Sequence, residues 1–137
     1  MSGPDSKWLP TQKILDEYFL HCTMLASLAA ELRELSKKKH DGFLNLTKVK
    51  LINRVLKPLH DQYLVAIPAA AFLDLLDESE LPTNSDAVLI ISQYEAAIKE
   101  FKNMYYRSYL DVLRRTQYYW ATIEDPDGQM ARSQIDL

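Results

Sequence analysis

SDAVLIISQYEAAIKEFKNMYYRSYLDVLRRTQYYWATI, residues 85–123, is the stretch whose reading decides the fold. Within it Tyr94, Ile98, Phe101, Tyr105, Tyr109, Val112, Thr116, Trp120 and Ile123 recur at steps of three and four, the spacing of one face of an α-helix. Upstream, Leu81-Pro82-Thr83-Asn84-Ser85-Asp86 is the clearest start signal in the chain. Thr83 with Asp86 three residues on resembles a capping box, and Asp86 complements the helix dipole. The pattern predicts one helix to about Ile123, roughly 55–60 Å long at 1.5 Å per residue. A chain of this size has a radius of gyration of about 14 Å, so such a helix would project, bend or pack on a second chain.

Working backward, Pro10 or Thr11 opens a first long helix predicted to run to about Lys38. Its seam is Ile14, Tyr18, His21, Leu25, Leu28, Leu32 and Leu35, widened by Leu15, Phe19, Cys22, Ala26 and Ala29. Asp41-Gly42 breaks it. A second helix begins after Asn45 or Leu46-Thr47 and turns Val49, Ile52, Leu56, Leu59 and Tyr63 inward. Pro58 falls inside it, where a missing donor and a clash with the preceding turn predict a kink or a restart. Pro68 suits the first turn of a short helix to about Asp77, with Phe72, Leu73 and Leu76 apolar. The acids Asp74, Asp77, Glu78 and Glu80 stand at its unfavourable end, so they are expected either in a solvated loop or against a basic partner. Glu124-Asp125-Pro126-Asp127-Gly128 ends the last helix.

The expected architecture is therefore all-α, an antiparallel bundle of four to five helices with long first and last members. Residues 1–10 read as a flexible lead, 11–124 as a single domain and 125–137 as a polar tail. Composition agrees with one helical domain: of 137 residues 47% are hydrophobic and only three are glycine, too few for a chain rich in tight turns. The net charge of -3 is too small to mark a polyanion binder. The lone Cys22, the absence of a secretory leader pattern and the lack of a membrane-length apolar run lead us to expect a soluble, cytoplasmic protein with no membrane partner.

Few residues carry recognisable chemistry. Glu17 and His21 share one helix face at a spacing that lets both reach one ion. The dipeptide His60-Asp61, with His21 before it and Asp111 after it, loosely resembles the order of metal-binding residues in HD-type phosphohydrolases, an all-helical family. The resemblance covers these four residues, and Gln62-Tyr63-Leu64 stands where that family commonly has a glycine-containing turn. It implies a metal-dependent hydrolase working through His21, His60 and Asp61. Against that stands the ordinary role of a seam histidine, which is core packing, and no metal or cofactor is expected. Phosphate-cradling glycines, Cys-x-x-Cys and a nucleophile elbow are all missing. Cys22 adjoins His21 in sequence, but consecutive helical residues point about 100° apart, so they form no nucleophilic pair.

Surface character is what remains. Residues 37–57 hold seven Lys or Arg and a single acid, Asp41, whereas residues 74–86 hold five acids and no base. Tyrosine and arginine interleave in the last helix, and these residue types concentrate binding energy in protein interfaces or stack on single-stranded nucleic acid. The leading expectation is a non-enzymatic interaction or regulatory module. It would meet a protein partner or its own copy, as a homo-oligomer, through Tyr105, Tyr106, Arg107, Tyr109, Leu113, Arg114, Tyr118, Tyr119 and Trp120. The alternative is nucleic-acid binding by Lys38, Lys48, Lys50, Arg54 and Lys57, together with Arg107, Arg114 and Arg115.

Overall fold

The structure, a computed structural model, describes residues 8–130, so the expectations for the first seven residues of the lead and for 131–137 of the tail lie outside it. In chain order it contains α1 (Gln12–Asp16), α2 (Tyr18–Lys38), α3 (Leu46–Gln62), two single turns of 3-10 helix (Leu64–Ala66 and Pro68–Ala70), α4 (Asn84–Tyr105), and the strands β1 (Tyr106–Leu110) and β2 (Thr116–Trp120). Among the described residues no helix is long and apolar enough to cross a membrane.

The all-α expectation is corrected by the strands. The last helix stops at Tyr105, and residues 106–120 form an antiparallel hairpin pairing Tyr106 with Trp120 and Leu110 with Thr116. α4 is thus 22 residues long, about 33 Å, and the projecting helix does not arise. Its predicted start is present: Thr83 Oγ1 accepts from the Asp86 N–H at 3.1 Å.

The long first helix is also corrected. It breaks at Glu17 because the Ile14 carbonyl, which would accept the Tyr18 N–H in a continuous helix, receives the Glu17 N–H (3.3 Å) and the Tyr63 hydroxyl (2.9 Å) instead. Along α2, Leu25, Ala29 and Leu32 are buried as the seam required, but Phe19 is 81% exposed.

α3 starts at Asn45, whose side chain accepts from the Lys48 N–H at 2.8 Å, and runs through Pro58 without restarting. The carbonyl freed by Pro58 belongs to Arg54, an exposed position where water can take it. The short helix expected after Pro68 reduces to one 3-10 turn. Beyond it the chain has no regular secondary structure, and Asn53 of α3 grips Leu76 through both amide atoms, the Leu76 N–H donating to Oδ1 and Nδ2 donating to the Leu76 carbonyl, each at 2.9 Å. The Tyr94 hydroxyl donates to the Asp74 carbonyl at 3.0 Å, and burial with the nearby Asp74 carboxylate pushes that phenol up to about 12.

One cluster of buried side chains unites α1 to α4, and α2 packs chiefly on α4. At its hairpin end the core is aromatic. Phe101, fully buried, meets the rings of Trp8, Tyr18, Tyr63, Tyr105 and Trp120 at centroid distances of 5.0–6.4 Å. Trp8 to Pro10, assigned by composition to the flexible lead, pack here, and the Pro10 carbonyl accepts from the Ile123 N–H at 3.0 Å. The base of the hairpin is thereby tied to the start of the domain.

Candidate functional site

The hairpin is the element that brings together most of the residues singled out by sequence. Its connection, residues 111–115, is organised by Asp111. One carboxylate oxygen accepts from the backbone N–H groups of Leu113 and Arg115, both at 2.9 Å. The other accepts from Arg115 Nε at 2.8 Å and Gln117 Nε2 at 3.1 Å. The Asp111 side chain is wholly shielded from solvent, and the Arg115 N–H, foremost among these donors, holds its carboxyl below the usual carboxylate range. Sequence reading assigned Asp111 only to a metal set; its four accepted bonds go into shaping a turn.

That turn places Arg114 at φ 61°, a left-handed conformation in which side chains of L-residues are strained and which glycine usually fills. Around it the aliphatic side chains point outward: Leu110 is 64%, Val112 75% and Leu113 68% exposed. Arg114 and Arg115 are exposed beside them, whereas Arg107 stands near the base of the hairpin and donates through Nε to the Met104 carbonyl at 3.3 Å. The tip is therefore apolar, flanked by Arg114 and by Arg115, whose guanidinium holds the buried and satisfied Asp111.

The remaining predicted contact residues divide by strand face. Tyr106, Tyr118 and Trp120 share one face, with Tyr106 stacked on Tyr118 (centroids 5.4 Å, planes 10° apart) and 5.0 Å from Trp120, while Lys102 lies 5.0 Å above the Tyr106 ring. Tyr109 and Tyr119 meet on the opposite face at 6.1 Å. Tyr119 also packs on Gly128, whose φ of 69° and missing Cβ let the chain close over the ring. Tyr105 is buried and the partly buried Trp120 packs against the aromatic core, so these two support the hairpin. Leu110 and Val112 are tip residues that sequence reasoning missed. The run of strand-favouring residues Thr116, Tyr118, Tyr119 and Trp120, after an Asp that can close a turn, was the available signal.

The metal set is not assembled. Among the described residues no group of three or more His, Cys, Asp or Glu is placed to hold an ion. His21 Nδ1 lies 2.8 Å from the Tyr63 hydroxyl, and that hydroxyl donates to Ile14, so His21 is the donor to Tyr63 and serves the break between α1 and α2. His60 bonds Asp61 at 3.1 Å on the surface, where Asp61 also pairs with Lys57 at 2.8 Å. Burial raises the Cys22 thiol, the opposite of what a nucleophile needs.

The basic residues are likewise distributed. Lys50, Arg54 and Lys57 border a shallow depression with Leu75 and Glu78, Lys48 and Arg54 border the groove between α2 and α3, and Lys38 ends α2. The acidic segment is a solvated loop: Asp77 accepts from the Ser79 hydroxyl and from the Ser79 and Glu80 N–H groups at 2.7–3.1 Å, and these bonds, the hydroxyl first, lower its carboxyl. Compared with protein-family models, curated proteins and solved structures, this chain matches none.

Proposed function

We propose that this protein is a non-enzymatic interaction module of the cytoplasm that docks on a protein partner through the tip of its hairpin. The observation that carries the reading is the exposure of Leu110, Val112 and Leu113 on a turn held in one shape by the shielded Asp111. An apolar side chain left in water and later buried contributes about 1.5–3 kcal/mol, and a turn already ordered loses little conformational freedom on docking. Arginine and tyrosine surrounding an apolar centre are the residue types that dominate interface energetics. The fitting partner surface is an apolar pocket with an acidic rim.

Site-specific photocrosslinking in cells tests this. A photoreactive residue at position 113 is expected to give adducts of discrete mass that disappear when Arg114→Glu is added, whereas the same residue at position 89, an equally exposed leucine site on α4, gives none. Equal labelling from both positions, or none from 113, would sink the proposal. Adducts removed by nuclease would assign the tip to nucleic acid instead.

A further inference from the structure

We infer that the groove between α2 and α3 is a contact face between two copies of this chain, related by a two-fold axis along the groove. The inference rests on a surface distinct from the hairpin. α2 lies chiefly against α4, its contact with α3 is slighter, and between α2 and α3 lies a depression of about 570 Å³ lined by Met24, Leu28, Leu51, Ile52 and Val55. A second depression, of about 390 Å³, shares Leu28, Leu51 and Ile52 and continues it toward Leu35 and Leu44. Met24 is 42% and Leu51 52% exposed, and Leu20, one turn before Met24 on the same stripe, is 57% exposed. Aliphatic side chains aligned along a groove form a contiguous patch of the kind that marks an interface.

The charges on the two walls identify the occupant. The α2 wall presents Glu31, and the α3 wall presents Lys48 and Arg54. Among the described residues none of the three has an ion-pair partner, although Glu31 borders the same depressions as the two bases. A two-fold axis parallel to the groove sets α2 of one copy over α3 of the other. Glu31 then faces the basic wall of its partner, and the basic wall faces the partner's Glu31, so every attraction occurs twice. The perpendicular axis would instead set α2 over α2, bringing acid against acid. An apolar floor with one acidic and one basic wall is thus complementary to itself, and the second copy supplies a helical pair to a bundle that has room for one.

The test is the assembly state of the full chain by sedimentation equilibrium and native mass spectrometry from micromolar to millimolar concentration. The wild type is expected to be a dimer, and Glu31→Arg and Arg54→Glu, both exposed sites, are each expected to weaken it by at least about tenfold. Mixing these two variants is expected to restore a dimer containing one of each. In that dimer the arginine introduced at position 31 meets the glutamate introduced at position 54, and the native Arg54 of one copy meets the native Glu31 of the other. Leu51→Asp should give a monomer that retains the wild-type circular dichroism, and Leu113→Ser should leave the dimer intact. A wild type that stays monomeric, a dimer indifferent to Leu51→Asp, or a dimer lost with Leu113→Ser overturns the inference. The last outcome would move self-association to the hairpin, while the first leaves the groove to a different protein.

Discussion

α4 carries Tyr94, Ile98, Phe101 and Tyr105 into the core almost wholly buried, whereas the hairpin that follows it leaves Leu110, Val112 and Leu113 in solvent. The two regions continue a single three-and-four spacing of apolar residues, yet one is helix and the other sheet. In α4 the backbone groups are satisfied locally from the Thr83 cap onward, and the side chains supply tertiary packing. In the hairpin the backbone pairs across strands, Tyr106 stacks on Tyr118, and the tip aliphatics stay largely in solvent. An element held by backbone pairing, by its own aromatic contacts and by the seat of Trp120 on Phe101 leaves its tip residues free to face outward.

The strongest way to break this contrast is at its shared anchor. Phe101→Ala removes the ring that meets Trp8, Tyr18, Tyr63, Tyr105 and Trp120, and is expected to cost about 3–5 kcal/mol, read as the loss of cooperative unfolding or a large fall in denaturation midpoint. Since Trp120 leans on the same ring, both the helix and the hairpin should fail together. Separate loss of the two would show that the hairpin folds independently.

A more selective probe is Gly128→Ala. The new Cβ would overlap the Tyr119 ring in a backbone conformation that alanine disfavours, at an expected cost of about 1–3 kcal/mol. Hydrogen exchange should quicken in residues 106–120 and remain protected through α4. Uniform acceleration along α4 would contradict the division drawn here.

The smallest effect has the opposite sign. Arg114→Gly relieves the left-handed strain of the turn and is expected to raise stability by about 0.5–1 kcal/mol, measured by thermal unfolding, while weakening the photocrosslink formed from position 113. A gain in stability with docking unchanged would show that Arg114 is not part of the contact.

The same turn explains why the hairpin was hard to read. Hairpin turns closed by a left-handed residue usually advertise themselves with glycine or asparagine, and here arginine occupies that position. Tyr105, Tyr109, Val112 and Trp120 happen to satisfy the helical period, and nothing local argued against extending α4 through them. The break at Glu17 was equally hidden, because it depends on the Tyr63 hydroxyl arriving from α3 to take the Ile14 carbonyl. The strap at Leu76 requires Asn53, twenty-three residues away, and no period of Phe72, Leu73 and Leu76 could announce it. By contrast the starts of α3 and α4 were legible, since Asn45 and Thr83 act on N–H groups within three residues.

By itself the sequence determined the helical core and where α3 and α4 begin, because caps and apolar periodicity are local and act through neighbouring atoms. It also marked the aromatic and basic stretch after Phe101 as the distinctive part of the chain. Only the tertiary structure decided that this stretch folds back as a hairpin, that Tyr105 and Trp120 belong to the core while Leu110, Val112 and Leu113 belong to the surface, and that His21, the His60–Asp61 pair and Asp111 serve separate structural contacts. Those outcomes depend on groups distant in sequence competing for the same carbonyls and the same buried volume, and spacing along a single strand of text does not encode that competition.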